Sequence, residues 1–77
     1  MNKDRRNRLD EAVSTLQDTL MVIEDIHAEE EEAYDNLPEN LQESERGEQM
    51  SEYIDTLDEA IGSLEDVICN LQDIVDG

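Results

Sequence analysis

The chain has 77 residues and a net charge of −18, from 23 Asp and Glu against five Lys and Arg, with no Trp or Phe. A chain this short forms one small domain, and with Tyr34 and Tyr53 as its only aromatics the core is aliphatic and thin unless a partner copy, metal or crosslink supplements it. The acidity excludes direct contact with nucleic acid or anionic membrane and favours cationic surfaces. Cys69 is the only cysteine, which rules out an intrachain disulfide and fits a reducing compartment. The longest unbroken apolar run, residues 20–23, is far short of a membrane span or signal core. A cytoplasmic protein is expected.

Residues 1–8 read as a basic N-terminal arm, with Lys3, Arg5, Arg6 and Arg8 against Asp4, whereas residues 9–77 hold 22 carboxylates against Arg46. In an antiparallel hairpin the arm would lie beside Asp73 and Asp76. Local neutralisation is therefore a better reading than a nucleic-acid-binding arm.

From Leu9 onward the chain repeats itself. LDEAVSTLQDTLMVIEDI (9–26) and LDEAIGSLEDVICNLQDI (57–74) share eight identities in eighteen positions. Lettering each heptad a to g, helix one (9–35) places Val13, Leu20, His27 and Tyr34 at a, Leu9, Leu16, Ile23 and Glu30 at d, and Ala12, Thr19, Ile26 and Ala33 at g.

The connection (36–44) is punctuated by breakers. Asn36 suits a left-handed helix end, Pro38 forces Leu37 out of helical geometry, and a short turn through Gln42 would fold Leu37 and Leu41 over the end of the bundle. Ser44 is placed to cap the next helix, with Gly47 in its first turn. The stretch carrying Asp35, Asn36, Leu37, Pro38, Glu39, Asn40, Leu41, Gln42, Ser44, Glu45 and Gly47 resembles a family of small, acidic, helical phage and prophage proteins of Gram-positive gut bacteria. The resemblance covers residues 29 to about 64. It implies a mobile-element origin and an accessory or anti-defence role, and carries over no catalytic residue.

Helix two (45–76) has Ile54, Ile61, Ile68 and Val75 at a, Met50, Leu57, Leu64 and Leu71 at d, and Tyr53, Ala60, Val67 and Ile74 at g. Antiparallel packing pairs a with d throughout: Leu9 with Val75, Val13 with Leu71, Leu16 with Ile68, Leu20 with Leu64 and Ile23 with Ile61. His27, Glu30 and Tyr34 meet Leu57, Ile54 and Met50. The expected fold is all-α, a coiled-coil-like hairpin in one domain (9–77). Because a stripe three positions wide exceeds what a two-helix seam covers, the hairpin should self-associate into a four-helix bundle, as a dimer or higher oligomer.

Two constellations resemble enzyme sites and neither holds together. Glu24 and His27 form the Glu-x-x-His step of di-iron bundles, but helix two offers Ile54, Leu57 and Ile61 where further carboxylates belong. Glu31, Glu32, Asp35, Glu52 and Asp55 loosely resemble the magnesium motifs of helical nucleotide pyrophosphohydrolases, on outer faces and with Lys3 as the only lysine. No catalytic, metal or cofactor site is expected, and the chain reads as a non-enzyme.

Two surfaces are candidates for partners. One is the acidic ridge at e and f: Asp18, Glu24, Asp25, Glu31, Glu32, Glu59, Glu65 and Asp66. The other is a low-charge seam at b and c, marked by Met21, Val22 and Cys69. The ridge suits an inhibitor or DNA-mimic decoy of a basic host nucleic-acid-binding or defence protein: 21 net charges over roughly 45 Å approach the 1.7 Å spacing of duplex DNA. The paired acids, every ~10.5 Å, do not reproduce phosphate spacing. The alternative is a coiled-coil adaptor or assembly protein whose charge confers only solubility, and a metal-dependent nucleotide enzyme is the minor third class. Since the carboxylates are nearly unpaired, repulsion opposes folding. Raising NaCl from 20 to 500 mM should increase the melting temperature by about 5 °C, measured by circular dichroism.

Overall fold

A computed structural model describes all 77 residues. Three helices follow in order: α1 (Lys3–Asp35), the single turn α2 (Glu39–Gln42) and α3 (Glu45–Asp76). α1 and α3 form an antiparallel pair, a rod with principal extents of 58 × 15 × 14 Å. No helix is long and apolar enough to cross a membrane.

The heptad register is written directly in the burial pattern. Along α1 the residues that are not fully exposed are Arg6, Leu9, Val13, Leu16, Leu20, Ile23, His27, Glu30 and Tyr34, all at a or d. Along α3 they are Gly47, Met50, Ile54, Leu57, Ile61, Leu64, Ile68, Leu71 and Val75, again a and d, joined by Ser51 and Gln72 at e. The seam is thin. Only Val13, at 2% exposure, and Ile68, at 8%, are buried apolar residues, because two helices alone cannot enclose a side chain on every side.

The basic arm is not a separate segment. Asn2 caps α1, its side-chain oxygen accepting the Arg5 N–H at 2.8 Å, so residues 3–8 form its first two turns. Helicity aims Arg6 into the seam as an a-position residue, where its guanidinium donates to the Val75 carbonyl at 3.5 Å. This cation satisfies part of the C-terminal end of α3, whose last turn has no basic residue of its own. The expected neutralisation by Asp73 and Asp76 does not take the form of ion pairs. Arg8 binds Asp4 on its own helix at 3.3 Å, and no other Lys or Arg is ion-paired.

At the connection, Asn36 ends α1 in the right-handed region (φ −83°, ψ −8°), not the left-handed one, and its N–H reaches the Glu32 carbonyl. Pro38 is sufficient to stop the helix, so no positive φ is needed anywhere in the chain. Pro38 precedes α2, and Gln42 ties the turn down by donating to the Tyr34 and Leu37 carbonyls at 3.0 and 3.3 Å. Leu37 is half-buried, whereas Leu41 stays exposed and does not cover the bundle end. Ser44 caps α3, its hydroxyl accepting the Gly47 N–H at 3.3 Å and donating to the Leu41 carbonyl.

Gly47 has a steric role that its first-turn position hides. It is buried, and a Cβ there would run into the backbone carbonyls of Leu41 and Gln42. Alanine normally gains up to ~1 kcal/mol over glycine in a helix, but carbonyls cannot step aside as a flexible side chain would. Gly47→Ala should therefore destabilise the hairpin by about 1–3 kcal/mol in urea melts, whereas Gly62→Ala, which meets open space, should stabilise it by up to ~1 kcal/mol.

Candidate functional site

Antiparallel packing of two helices in the same heptad phase puts equal letters on the same side of the hairpin. Around each helix the order is a, e, b, f, c, g, d, so e and b of both helices form one broad face, g and c the opposite one, and f the two outer edges. His27 reports the arrangement directly. Its Nε2 lies 3.1 Å from Glu31 Oε1, at e on its own helix, and 3.9 Å from Asp58 Oδ1, at e across the seam. The imidazole is 17% exposed, and Nε2 has no aligned hydrogen-bond partner despite that 3.1 Å approach. It thus sits at the edge of the seam, between carboxylates of the two helices, without being tied to either.

The carboxylates segregate accordingly. Ten lie at f and nine on the e/b face; Glu30 is in the seam, Glu39 and Glu43 are in or beside α2, and only Glu29 falls on the g/c face. All eight ridge residues, Asp18, Glu24, Asp25, Glu31, Glu32, Glu59, Glu65 and Asp66, are exposed. The fold does not merge them into one patch. Glu24, Glu31 and Glu65 share the e/b face, while Asp18, Asp25 and Glu32 line one outer edge and Glu59 and Asp66 the other. Asp58 belongs with the first group, although the eight ridge residues do not include it. The signal was available in the a/d register, which places e of one helix beside e of the other.

The low-charge seam divides in the same way. Met21 and Cys69, at b, lie within the carboxylate face; Val22, at c, lies beyond the acids at f and joins the g/c face. All three are exposed, but successive residues of a helix point about 100° apart, so Met21 and Val22 make no common spot.

No group of three or more His, Cys, Asp or Glu side chains is placed to bind a metal ion. The concavity of about 450 Å³ beside the start of α3 is lined by Glu45, Arg46, Glu48, Gln49 and Glu52, all on the surface and without an apolar wall. Glu31, Glu32, Asp35, Glu52 and Asp55 are likewise exposed. What the geometry offers is electrostatic: a rod with acidic edges and one acidic face.

Because α1 starts at Lys3, the rod is longer than the apolar repeat alone implies, and its charge is more dilute. Spread over 58 Å, a net −18 is roughly one charge per 3.2 Å, close to the 3.4 Å of one nucleic-acid strand and about half the density of a duplex. No protein-family model matches the chain, and no curated protein or solved structure is significantly similar to it.

Proposed function

We propose that the chain is a non-catalytic, acidic binding module that self-associates and presents its carboxylate surfaces to a basic nucleic-acid-binding site on a host protein, competing with the nucleic acid for it. The observation that carries this reading is the segregation of charge. Nineteen of 23 carboxylates lie on the e/b face and the f edges of a straight rod, in linear density close to that of a phosphate backbone. A surface acidic merely for solubility has no need of such separation, since scattered charges serve equally well. The resemblance of residues 29–64 to phage and prophage proteins agrees with an anti-defence role in the host cytoplasm.

The adaptor reading keeps one specific observation in its favour, the g/c face with its apolar residues and single carboxylate, which is suited to packing against helices. The two readings differ in which surface meets the partner and in how binding responds to salt. Charge-dominated association weakens steeply as salt rises, and apolar packing does not.

The test starts from a partner captured from host lysate at low salt and purified. Replacing the eight ridge residues by Asn and Gln should leave helicity intact and weaken binding by two orders of magnitude or more, and a single-stranded or duplex oligonucleotide should displace the native chain from the partner. If the neutralised chain binds normally, or Met21, Val22 or Cys69 substitutions remove binding instead, the competition reading is wrong.

A further inference from the structure

The g/c face is the least explained surface of the molecule. Of the eight large apolar residues that are strongly exposed, five lie on it: Val22, Ile26, Tyr53, Val67 and Ile74, each 43–57% exposed. It carries a single carboxylate, Glu29, yet three of the chain's five cations, Arg5, Arg8 and Arg46, none ion-paired across the seam. A protein with this excess of acid has placed an apolar strip where its acids are absent.

We infer that this face seats a second copy of the chain, stacked face to face with the open end of one hairpin over the connected end of the other. The inference rests on the self-association proposed above and adds its surface and orientation. Area is the first argument. The chain exposes 5778 Å², about 1,000 Å² more than the roughly 4,800 Å² expected of a folded monomer of 8.8 kDa. One face of the rod, 58 by 15 Å, is roughly 870 Å², matching the ~800 Å² per partner of a stable interface.

Charge supplies the occupant and the orientation. A chain of net −18 repels its own copies everywhere except on this face, where a two-fold axis across the rod lays α1 antiparallel on the partner's α1 and brings Arg5 and Arg8 over the partner's Glu29. Arg46 then meets the C-terminal end of the partner's α3, which no cation on α3 itself covers. Stacking with like ends together would instead gather both connected ends, and residues 29–52 hold ten carboxylates against Arg46 in each copy. Pairs across the face also alternate in size: Ala12 beside Ile74, Thr19 beside Val67, Ile26 beside Ala60, Ala33 beside Tyr53, which lets a second such surface interdigitate. The dimer carries its doubled charge along an unchanged length, roughly one per 1.6 Å, which is the spacing of duplex DNA.

Sedimentation equilibrium and pulsed electron resonance test this together. In a Cys69→Ser, Gln49→Cys chain carrying a spin label, the two labels of a dimer should lie about 45 Å apart; stacking with like ends together brings them within about 20 Å. Ile26→Glu with Val67→Glu should abolish the dimer, whereas Met21→Glu, exposed but off the face, should leave it intact. Arg5→Glu with Arg8→Glu should weaken dimerisation at least about tenfold, and Glu29→Lys in that background should restore it, an outcome that loss of folding cannot imitate. A monomer with full helicity at 50 µM overturns self-association itself. A dimer indifferent to the Ile26 and Val67 changes, or one with a short label distance, overturns the face or the orientation and leaves self-association standing.

Discussion

Two helices in contact can cover only the a and d positions of their heptads, and this limit governs the rest of the molecule. The chain places apolar residues at a third position, g, on both helices, and the hairpin leaves them in solvent: Ala12, Ile26 and Ala33 on α1, Tyr53, Ala60, Val67 and Ile74 on α3. The internal repeat makes the consequence sharper. Because 9–26 and 57–74 share one heptad phase and run antiparallel, their g positions fall on one side and their e positions on the other. The repeat therefore produces a two-sided rod, with a single carboxylate on one face and the other lined with acid.

The same register disposes of the cations. Four of the five sit in the first two turns of α1, and the helix spreads them to different places: Arg6 into the seam at the Val75 carbonyl, Arg8 and Arg5 toward the g/c face, with Arg8 held to Asp4. Arg6 is the one cation that acts inside the hairpin. It lies where Asp73, Asp76 and the last carbonyls of α3 accumulate negative charge, and a guanidinium there relieves both a helix end and the repulsion around it. The connected end has no such relief, since Arg46 stands alone among ten carboxylates. The rod is thus polarised along its length as well as across it.

Much of the fold was legible in the residues. The a/d pairing follows from apolar period alone, and the Ser44 cap and the Pro38 stop follow from local chemistry. The parts that were not legible share a cause, namely that their signal was steric or three-dimensional. Periodicity begins at Leu9, so helix one was read from there, although Asn2 is a good capping residue and Arg6 occupies an a position that apolar counting passes over. Asn36 invited a left-handed turn that the backbone did not need once Pro38 was in place. Gly47 looked permissive and is obligatory, because the carbonyls of α2 lie against it. On the surface, heptad letters alone group e with f as one ridge and b with c as one seam on both helices. Packing separates e from f and b from c, and adds Asp58 to the ridge through its approach to His27.

The division into two faces gives the proposed activities opposite responses to ionic strength. Binding through the carboxylates loses its Coulombic drive as ions screen them, over a Debye length of about 8 Å at physiological salt. Stacking through the g/c face buries apolar area against the repulsion of two chains of −18, so screening removes the opposing term and leaves the favourable one. In the proposed scheme low salt would favour a dispersed rod with single-strand charge density, and higher salt a dimer with the density of a duplex. Near physiological salt the proposed dimer would offset part of what its carboxylates lose to screening, because a basic cleft would meet twice the charge in the same length. In the proposed scheme the acid-poor face is not an alternative to the acidic one but the means by which its density would be doubled.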